Sequence, residues 1–267
     1  MNLNNVFLIT DADGTLLTDD KRILEIDKSA INELIQSGGM FTVATGRGVS
    51  LARVIADELQ LEIPAVIFNG AAVYDFKKDK FLWKCVLPDT AKDYINIFMD
   101  NFPTLGAEIL RYDEVNVIRT NAREEEHIKF GCENPIRRRI DEVPHDNWIK
   151  TLFVDEPENI DRLIEFADKH VFDCVHLVRS APMFFEMLPN GVNKGTGFKK
   201  LLDIMGLNNR RVVAAGDFMN DLEMIQMADL GVAVGNAEEI VKRAADLIVC
   251  DNNSGAVFEI VERLKGK

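Results

Sequence analysis

Short apolar runs alternating with stretches of helical period constrain this chain more than any other feature. Residues 6–10, 41–44, 65–68, 212–215, 230–234 and 247–250 are mostly apolar and bounded by Gly, Asp, Asn or Thr. Runs of that length without polar alternation predict strands buried on both faces. Between them, 26–35, 49–59, 197–205, 221–228, 237–245 and 256–264 predict helices. In the first, Ile26, Ala30, Ile31, Leu34 and Ile35 share one face, and Gly38 stands where a helix would stop. Strands alternating with helices imply a parallel, Rossmann-like α/β sheet. The alternation breaks between 81 and 188. There a helix at 90–101 precedes strands at 107–112 and 115–120, then a strand at 151–154, a helix at 160–170 and strands at 175–179 and 183–187. That order predicts an inserted α+β unit, 81–188, within a discontinuous α/β domain, 1–80 and 189–267.

Polar motifs follow three of the apolar runs. In an open α/β sheet the ligand site lies beyond the carboxyl ends of the strands, so motifs distant in sequence are expected to meet there. Asp11-Ala12-Asp13-Gly14-Thr15 follows the first run. Side chains two apart on an extended chain point the same way, so Asp11 and Asp13 are expected to share one site. Paired carboxylates repel and require a proton or a cation, and Mg2+ is the hard ion that suits carboxylate and phosphate oxygens. One carboxylate could attack phosphorus while the other moves protons. Thr45-Gly46-Arg47 follows the second run, and a hydroxyl plus a glycine N–H at a helix start make a phosphate cradle. Gly216-Asp217-Phe218-Met219-Asn220-Asp221 follows a third. Asp217 could complete a metal site, Asn220 could donate to a phosphate oxygen, and Asp221 could hold a metal-bound water from behind. Lys194, in Asn193-Lys194-Gly195, could offset phosphate charge at a helix entry. Arg47 and Asn69 are candidate substrate contacts. Taken singly, each motif also reads as a helix cap, a turn or a surface group.

Charge narrows the partners. The 267 residues carry a formal net charge of -13, with 47% hydrophobic and 28% charged residues. An ordinary globular chain this acidic is ill suited to nucleic acid polymers or anionic membrane surfaces. A small phosphorylated metabolite held by local cations remains compatible. Cys85, Cys132, Cys174 and Cys250 show no metal-like spacing, which favours reduced thiols and a cytoplasmic setting. Arg137-Arg138-Arg139 is the strongest basic run and is either a solvated face or a contact for a second substrate anion. A monomer or small homo-oligomer is expected.

Together these motifs resemble the four signatures of the haloacid dehalogenase (HAD) superfamily. They are the apolar run into Asp11-Ala12-Asp13-Gly14-Thr15-Leu16, the Thr45 motif, Lys194, and Gly216-Asp217 with Asn220-Asp221. Phe68-Asn69-Gly70-Ala71, Gly191-Val192-Asn193-Lys194-Gly195 and Val232-Ala233-Val234-Gly235-Asn236-Ala237 look like its Cof-type branch, which carries a C2 (IIB) cap between the second and third motifs. Thr10 and Phe218 depart from the usual neighbours of the first and third motif acids. The resemblance implies a Rossmann-like HAD core with an inserted α+β cap, and a Mg2+-dependent phosphatase acting on a small phosphate monoester. It implies Asp11 as nucleophile and metal ligand. Asp13 would be the general acid/base, with its carbonyl on the metal, and Asp217 the remaining ligand. Thr45, Gly46, Lys194 and Asn220 would hold the phosphoryl group. The same residues would serve a phosphotransferase or phosphomutase, or a non-hydrolytic module phosphorylated on Asp.

Overall fold

In the computed structural model, residues 3–112, 114–131 and 135–266 are described. They form two compact units, one comprising Met1–Gly46, Arg53–Trp83 and Asn193–Lys267, the other Arg47–Ala52 and Lys84–Val192. Along the chain the elements begin with β1 (Val6–Thr10), α1 (Glu25–Gln36), β2 (Met40–Val43), α2 (Val49–Glu58), β3 (Ala65–Ile67), β4 (Ala72–Asp75) and β5 (Lys80–Lys84). Then come α3 (Ala91–Asn101), β6 (Gly106–Arg111), β7 (Val115–Arg119), α4 (Ala122–Gly131), β8 (Ile136–Arg137), β9 (Trp148–Val154), α5 (Pro157–Ala167), β10 (Val175–Ala181) and β11 (Phe184–Pro189). The last part holds α6 (Lys194–Met205), β12 (Arg211–Gly216), α7 (Leu222–Met227), β13 (Leu230–Ala233), α8 (Glu239–Ala244), β14 (Leu247–Ile248) and α9 (Ala256–Leu264).

The first unit is built on a parallel sheet ordered β14-β13-β12-β1-β2. Every residue of β1 is buried, as an apolar run covered by helices on both faces requires. Phe7 and Ile9 pack with Phe198, Leu201 and Met224, and Phe7 meets the Phe198 ring edge-on at 5.6 Å. The 65–68 run, expected as a further parallel strand, joins this sheet by a single Ala44–Val66 bridge. It pairs instead with β4, antiparallel, in a separate sheet ordered β3-β4-β5. Residues 81–83, read from sequence as the start of the insertion, lie in β5 of that sheet. From β1 the chain moves to β2 on one side and returns through β12 on the other. The β1–β12 seam is thus the switch point where ligands bind in open α/β sheets.

The second unit is an α+β layer. Its sheet runs β10-β11-β9-β6-β7-β8, antiparallel except for β7–β8. One face packs an aromatic core in which Phe98 lies edge-on to Phe153 at 5.1 Å and stacks on Phe172 at 4.7 Å. No helix among the described residues is long and apolar enough to cross a membrane. Cys85, Cys174 and Cys250 are free thiols, and Cys132 lies outside the described residues.

Candidate active site

Asp11 extends β1 by one residue, its N–H donating to the carbonyl of Ala215 on β12 at 2.8 Å. Asp217 follows the end of β12, and Asp221 sits in the short turn that opens α7. Lys194 is the first residue of α6, whose entry is fixed by a reciprocal cap. Asn193 Oδ1 accepts from the Thr196 N–H at 2.8 Å, and Thr196 Oγ1 accepts from the Asn193 N–H at 3.0 Å. These elements bring one ammonium onto two carboxylates. Lys194 Nζ donates to Asp11 Oδ1 and to Asp221 Oδ1, each at 2.6 Å, and Lys194 is only 1% exposed. A cation at a helix N-terminus opposes the helix dipole, so the carboxylates must hold it there.

Asp221 is turned by its second oxygen. Oδ2 accepts from the N–H groups of Asp217 and Phe218 at 3.0 and 3.1 Å. Asp217 accepts from Thr15 Oγ1 at 2.8 Å. Gly14 lies beside it with φ +84, and a Cβ there would overlap Asp217 Oδ2. Only glycine satisfies both the backbone angle and the approach. One ligand atom from each of Asp11, Asp217 and Asp221 falls within 4.8 Å of the others.

The electrostatics are unbalanced. Three carboxylates against one ammonium leave two negative charges uncompensated when all are ionised. Burial raises Asp11 well above the usual carboxyl range; Lys194 opposes this, and Asp221 and Asp217 add to it. Burial, then Asp221, pushes Asp217 up to about 7. Burial alone would lower Lys194, but Asp11 and Asp221 hold its ammonium above the ordinary value. A group of hard oxygen donors with excess negative charge fits a divalent cation.

The other residues singled out from sequence fall into place as follows. Thr45 is buried; its N–H donates to Val66 and its carbonyl accepts from the Asn69 N–H at 3.0 Å. Asn69 Oδ1 accepts from Asn220 Nδ2 at 3.0 Å, and a Cβ on Gly46 would come to 3.0 Å from Asn69 Oδ1. Thr45, Gly46, Asn69 and Asn220 thus form one linked group, with Asn220 next to Asp221 in the chain. Phe68 and Asn69 both adopt left-handed φ, 52 and 53, a costly conformation for non-glycine residues that marks a constrained turn. Arg47 belongs to the second unit.

Two placements differ from expectation. Asp13 does not join the carboxylate group; its side chain turns to Lys21 Nζ at 2.8 Å and is 40% exposed. The chain is not extended there, because the N–H groups of Leu16 and Leu17 both turn back to the Ala12 carbonyl. Asp221, expected behind the metal, also comes within ligand distance of Asp11 and Asp217, while its oxygens accept from Lys194 and from the N–H groups of Asp217 and Phe218. The basic run is taken up by neighbours: Arg137 is bidentate on Glu125, at 2.7 and 2.8 Å, and Arg139 pairs with Glu142.

Sequence reasoning gave no role to Thr15, Asp19, Asn236, Asn252 or Asn253. Asn236 Nδ2 donates to the Gly14 carbonyl at 2.8 Å, and Asn252 Nδ2 donates to the Leu17 carbonyl at 3.0 Å. Asn236 and Asn252 follow β13 and β14. The strand-end rule that flagged Asp11 and Asp217 would have flagged them too.

The sequence profile of the haloacid dehalogenase-like hydrolases matches residues 8–261. A Bacillus subtilis protein named "Putative phosphatase YxeH" is 32% identical over 262 residues, covering 95% of this chain and 96% of that one. The B. subtilis 5-amino-6-(5-phospho-D-ribitylamino)uracil phosphatase YcsE is 27% identical over 256 residues, covering 94% and 92%. The solved structure of the HAD subclass IIB sugar phosphatase BT4131 superposes with a TM-score of 0.83 at 19% identity, covering 97% of this chain and 98% of that one, a likeness of fold. The chain belongs to the haloacid dehalogenase-like hydrolase family, in its Cof-type branch, and is a phosphoric monoester hydrolase.

Proposed function

We propose that this hydrolase is a Mg2+-dependent phosphatase that cleaves small phosphate monoesters through an aspartyl-phosphate on Asp11. The observation that carries the reading is the buried Lys194 ammonium, shared between Asp11 and Asp221 beside Asp217. Lys194 fixes Oδ1 of Asp11, which leaves Oδ2 as the attacking atom. The P–O bond to Asp11 forms as the bond to the leaving oxygen breaks, and Asp13 gives that oxygen a proton. Asp13 then takes a proton from water, whose oxygen bonds to phosphorus as the Asp11–phosphorus bond breaks, releasing phosphate and restoring the carboxylate. The pair of Asp13 with Lys21 is exposed and worth about 0–1 kcal/mol, so that contact does little to hold the carboxyl away from a substrate. Asp11, Asp217 and the Asp13 carbonyl would hold Mg2+, with Asp221 supporting them, and the ion would neutralise phosphoryl charge. Thr45, the Gly46 N–H, Lys194 and Asn220 would bind the phosphoryl oxygens, and Arg47 and Asn69 would contact the substrate.

The second unit, read as a cap, would select the leaving group. The names of YcsE and BT4131 both specify phosphates of polyhydroxylated compounds. Sugar and sugar-alcohol phosphates are therefore the first substrates to assay. Phosphate release across such a panel, with Mg2+ and with chelator, tests the reading. Asp11→Asn should lower kcat by about 10⁴-fold or more. Normal turnover in that variant would remove Asp11 as nucleophile.

A further inference from the structure

The loop after Asp11 is held from outside by three asparagines. Within the loop, the Leu17 N–H donates to the carbonyl of Ala12, the peptide between Asp11 and Asp13, at 2.8 Å. The carbonyl of the same Leu17 accepts from Asn252 Nδ2 at 3.0 Å. That amide also donates to Asp19 Oδ1 at 3.1 Å, and the Asn252 N–H donates to Asn236 Oδ1 at 3.1 Å. Asn236 in turn holds Gly14, which is packed against Asp217. Asn253 closes the far end: its Oδ1 accepts from the Asp19 N–H, and its Nδ2 donates to Asp19 Oδ2, both at 3.1 Å. Asn252 is only 2% exposed, so its polar side chain is buried in order to make these bonds.

We propose that Asn252 is a positioning residue for the phosphatase reaction, setting the Asp11–Asp13 segment through Leu17 while Asn236 sets Gly14 against Asp217. The inference rests on the functional reading above. Asn252 touches no reacting atom. Through Leu17 it holds the Ala12 carbonyl, in the peptide that joins Ala12 to Asp13, and a displacement of about 1 Å at reacting groups costs about 10²-fold in rate. The hydrogen bonds from Asn252 and Asn253 hold the Asp19 carboxyl below its usual range, and the contact pairs an acceptor at Asp19 with a donor at Asn252.

That polarity supplies the test. Asn252→Asp keeps the shape but sets an acceptor against the Leu17 carbonyl and Asp19. With p-nitrophenyl phosphate and saturating Mg2+, it should lower kcat by about 10²-fold while KM changes by less than about threefold. Adding Asp19→Asn restores a donor–acceptor pair at position 19 but leaves an acceptor facing the Leu17 carbonyl, so the double variant should regain less than about threefold in kcat. Hydrogen exchange at the amides of Leu16 and Leu17 should quicken in Asn252→Asp and stay fast in the double variant. Asn253→Ala, which removes the exposed hold on Asp19 and a 3.3 Å hydrogen bond to Asn252 Oδ1 but leaves the Leu17 contact, should shift rate and exchange the same way by less, and serves if Asn252→Asp fails to fold. A double variant restored to wild-type kcat, or kcat loss with unchanged exchange, would overturn the proposal. If the wild type releases no phosphate, the functional reading falls, while exchange still reads the clamp.

Discussion

Both units bury charge, and they do so in opposite ways. In the first, Asp11, Asp217 and Asp221 converge on one Lys194, leaving carboxylates in excess. In the second, Lys150 and Glu186 pair at 2.8 Å, each under 5% exposed, Ser180 Oγ donates to Glu186 at 2.5 Å, and the buried Glu108 lies 3.6 Å from His127. Nearby Glu124 is pushed up to about 10 by burial and by Glu108, and so stays neutral. The second array relieves its excess by keeping Glu124 protonated, whereas the first gathers three carboxylates within ligand distance of one another, where a cation can join them. The contrast marks the Asp11 group as the one that offers ligand atoms to a metal, without reference to any motif.

The sharpest way to break the comparison is to remove each lysine. Lys194→Met and Lys150→Met should each cost about 3–5 kcal/mol by stranding buried carboxylates. The difference should lie in the response to metal. Mg2+ should restore a large part of the loss in Lys194→Met, because a divalent ion replaces the missing positive charge, and none of it in Lys150→Met. Urea unfolding with Mg2+ and with chelator reads both. Equal metal responses would mean that the two arrays do not differ in kind.

The sequence revealed the first array far better than the second, for physical reasons. Strands buried on both faces are apolar throughout, so β1 and β12 and the acids after them stood out. α4 did not, because its Ala-Arg-Glu-Glu-Glu-His opening has no apolar stripe and it buries Glu124 beside Ile128. β8 is two residues long and gives no period. The pairing of Asp11 with Asp13 was inferred from an extended chain that the Ala12 turn removes. Asn236 and Asn252 follow strand ends, where the same rule would have flagged them, but as neutral amides they name no chemistry until the loop they hold is seen.

A smaller effect sharpens the structural side. Glu124 has a folded pKa of about 10 against 4.5 for the free group. The native state therefore keeps a proton that the unfolded chain releases. Its stabilising contribution is full below about pH 4.5 and is lost as pH rises toward 10. Glu124→Gln, neutral in both states, should leave stability at pH 5 within about 1 kcal/mol of wild type and raise it by about 1–3 kcal/mol at pH 8. Thermal unfolding at the two pH values checks this, and a loss at pH 8 would mean that Glu124 is buried as a carboxylate.

The smallest effect asks whether the distinction belongs to the unit or to the cluster. Asp27 is a fully buried carboxyl of the first unit outside the Asp11 group, its Oδ1 accepting from the Phe258 N–H in the first turn of α9 at 2.7 Å. Burial raises it to about 6 from 3.8, with the α9 amides opposing. Its contribution to stability is present below pH 3.8 and lost as pH rises through 6. Asp27→Asn keeps the acceptor for Phe258 and removes the charge. It also forfeits a favourable charge at a helix N-terminus, worth about 0.3–1 kcal/mol. The net gain at pH 7.5 should therefore be about 1 kcal/mol, vanishing below pH 4. It should be identical with Mg2+ and with chelator, because Asp27 compensates no metal. A metal-dependent gain would show that excess negative charge is spread through the whole first unit rather than gathered at Asp11, Asp217 and Asp221.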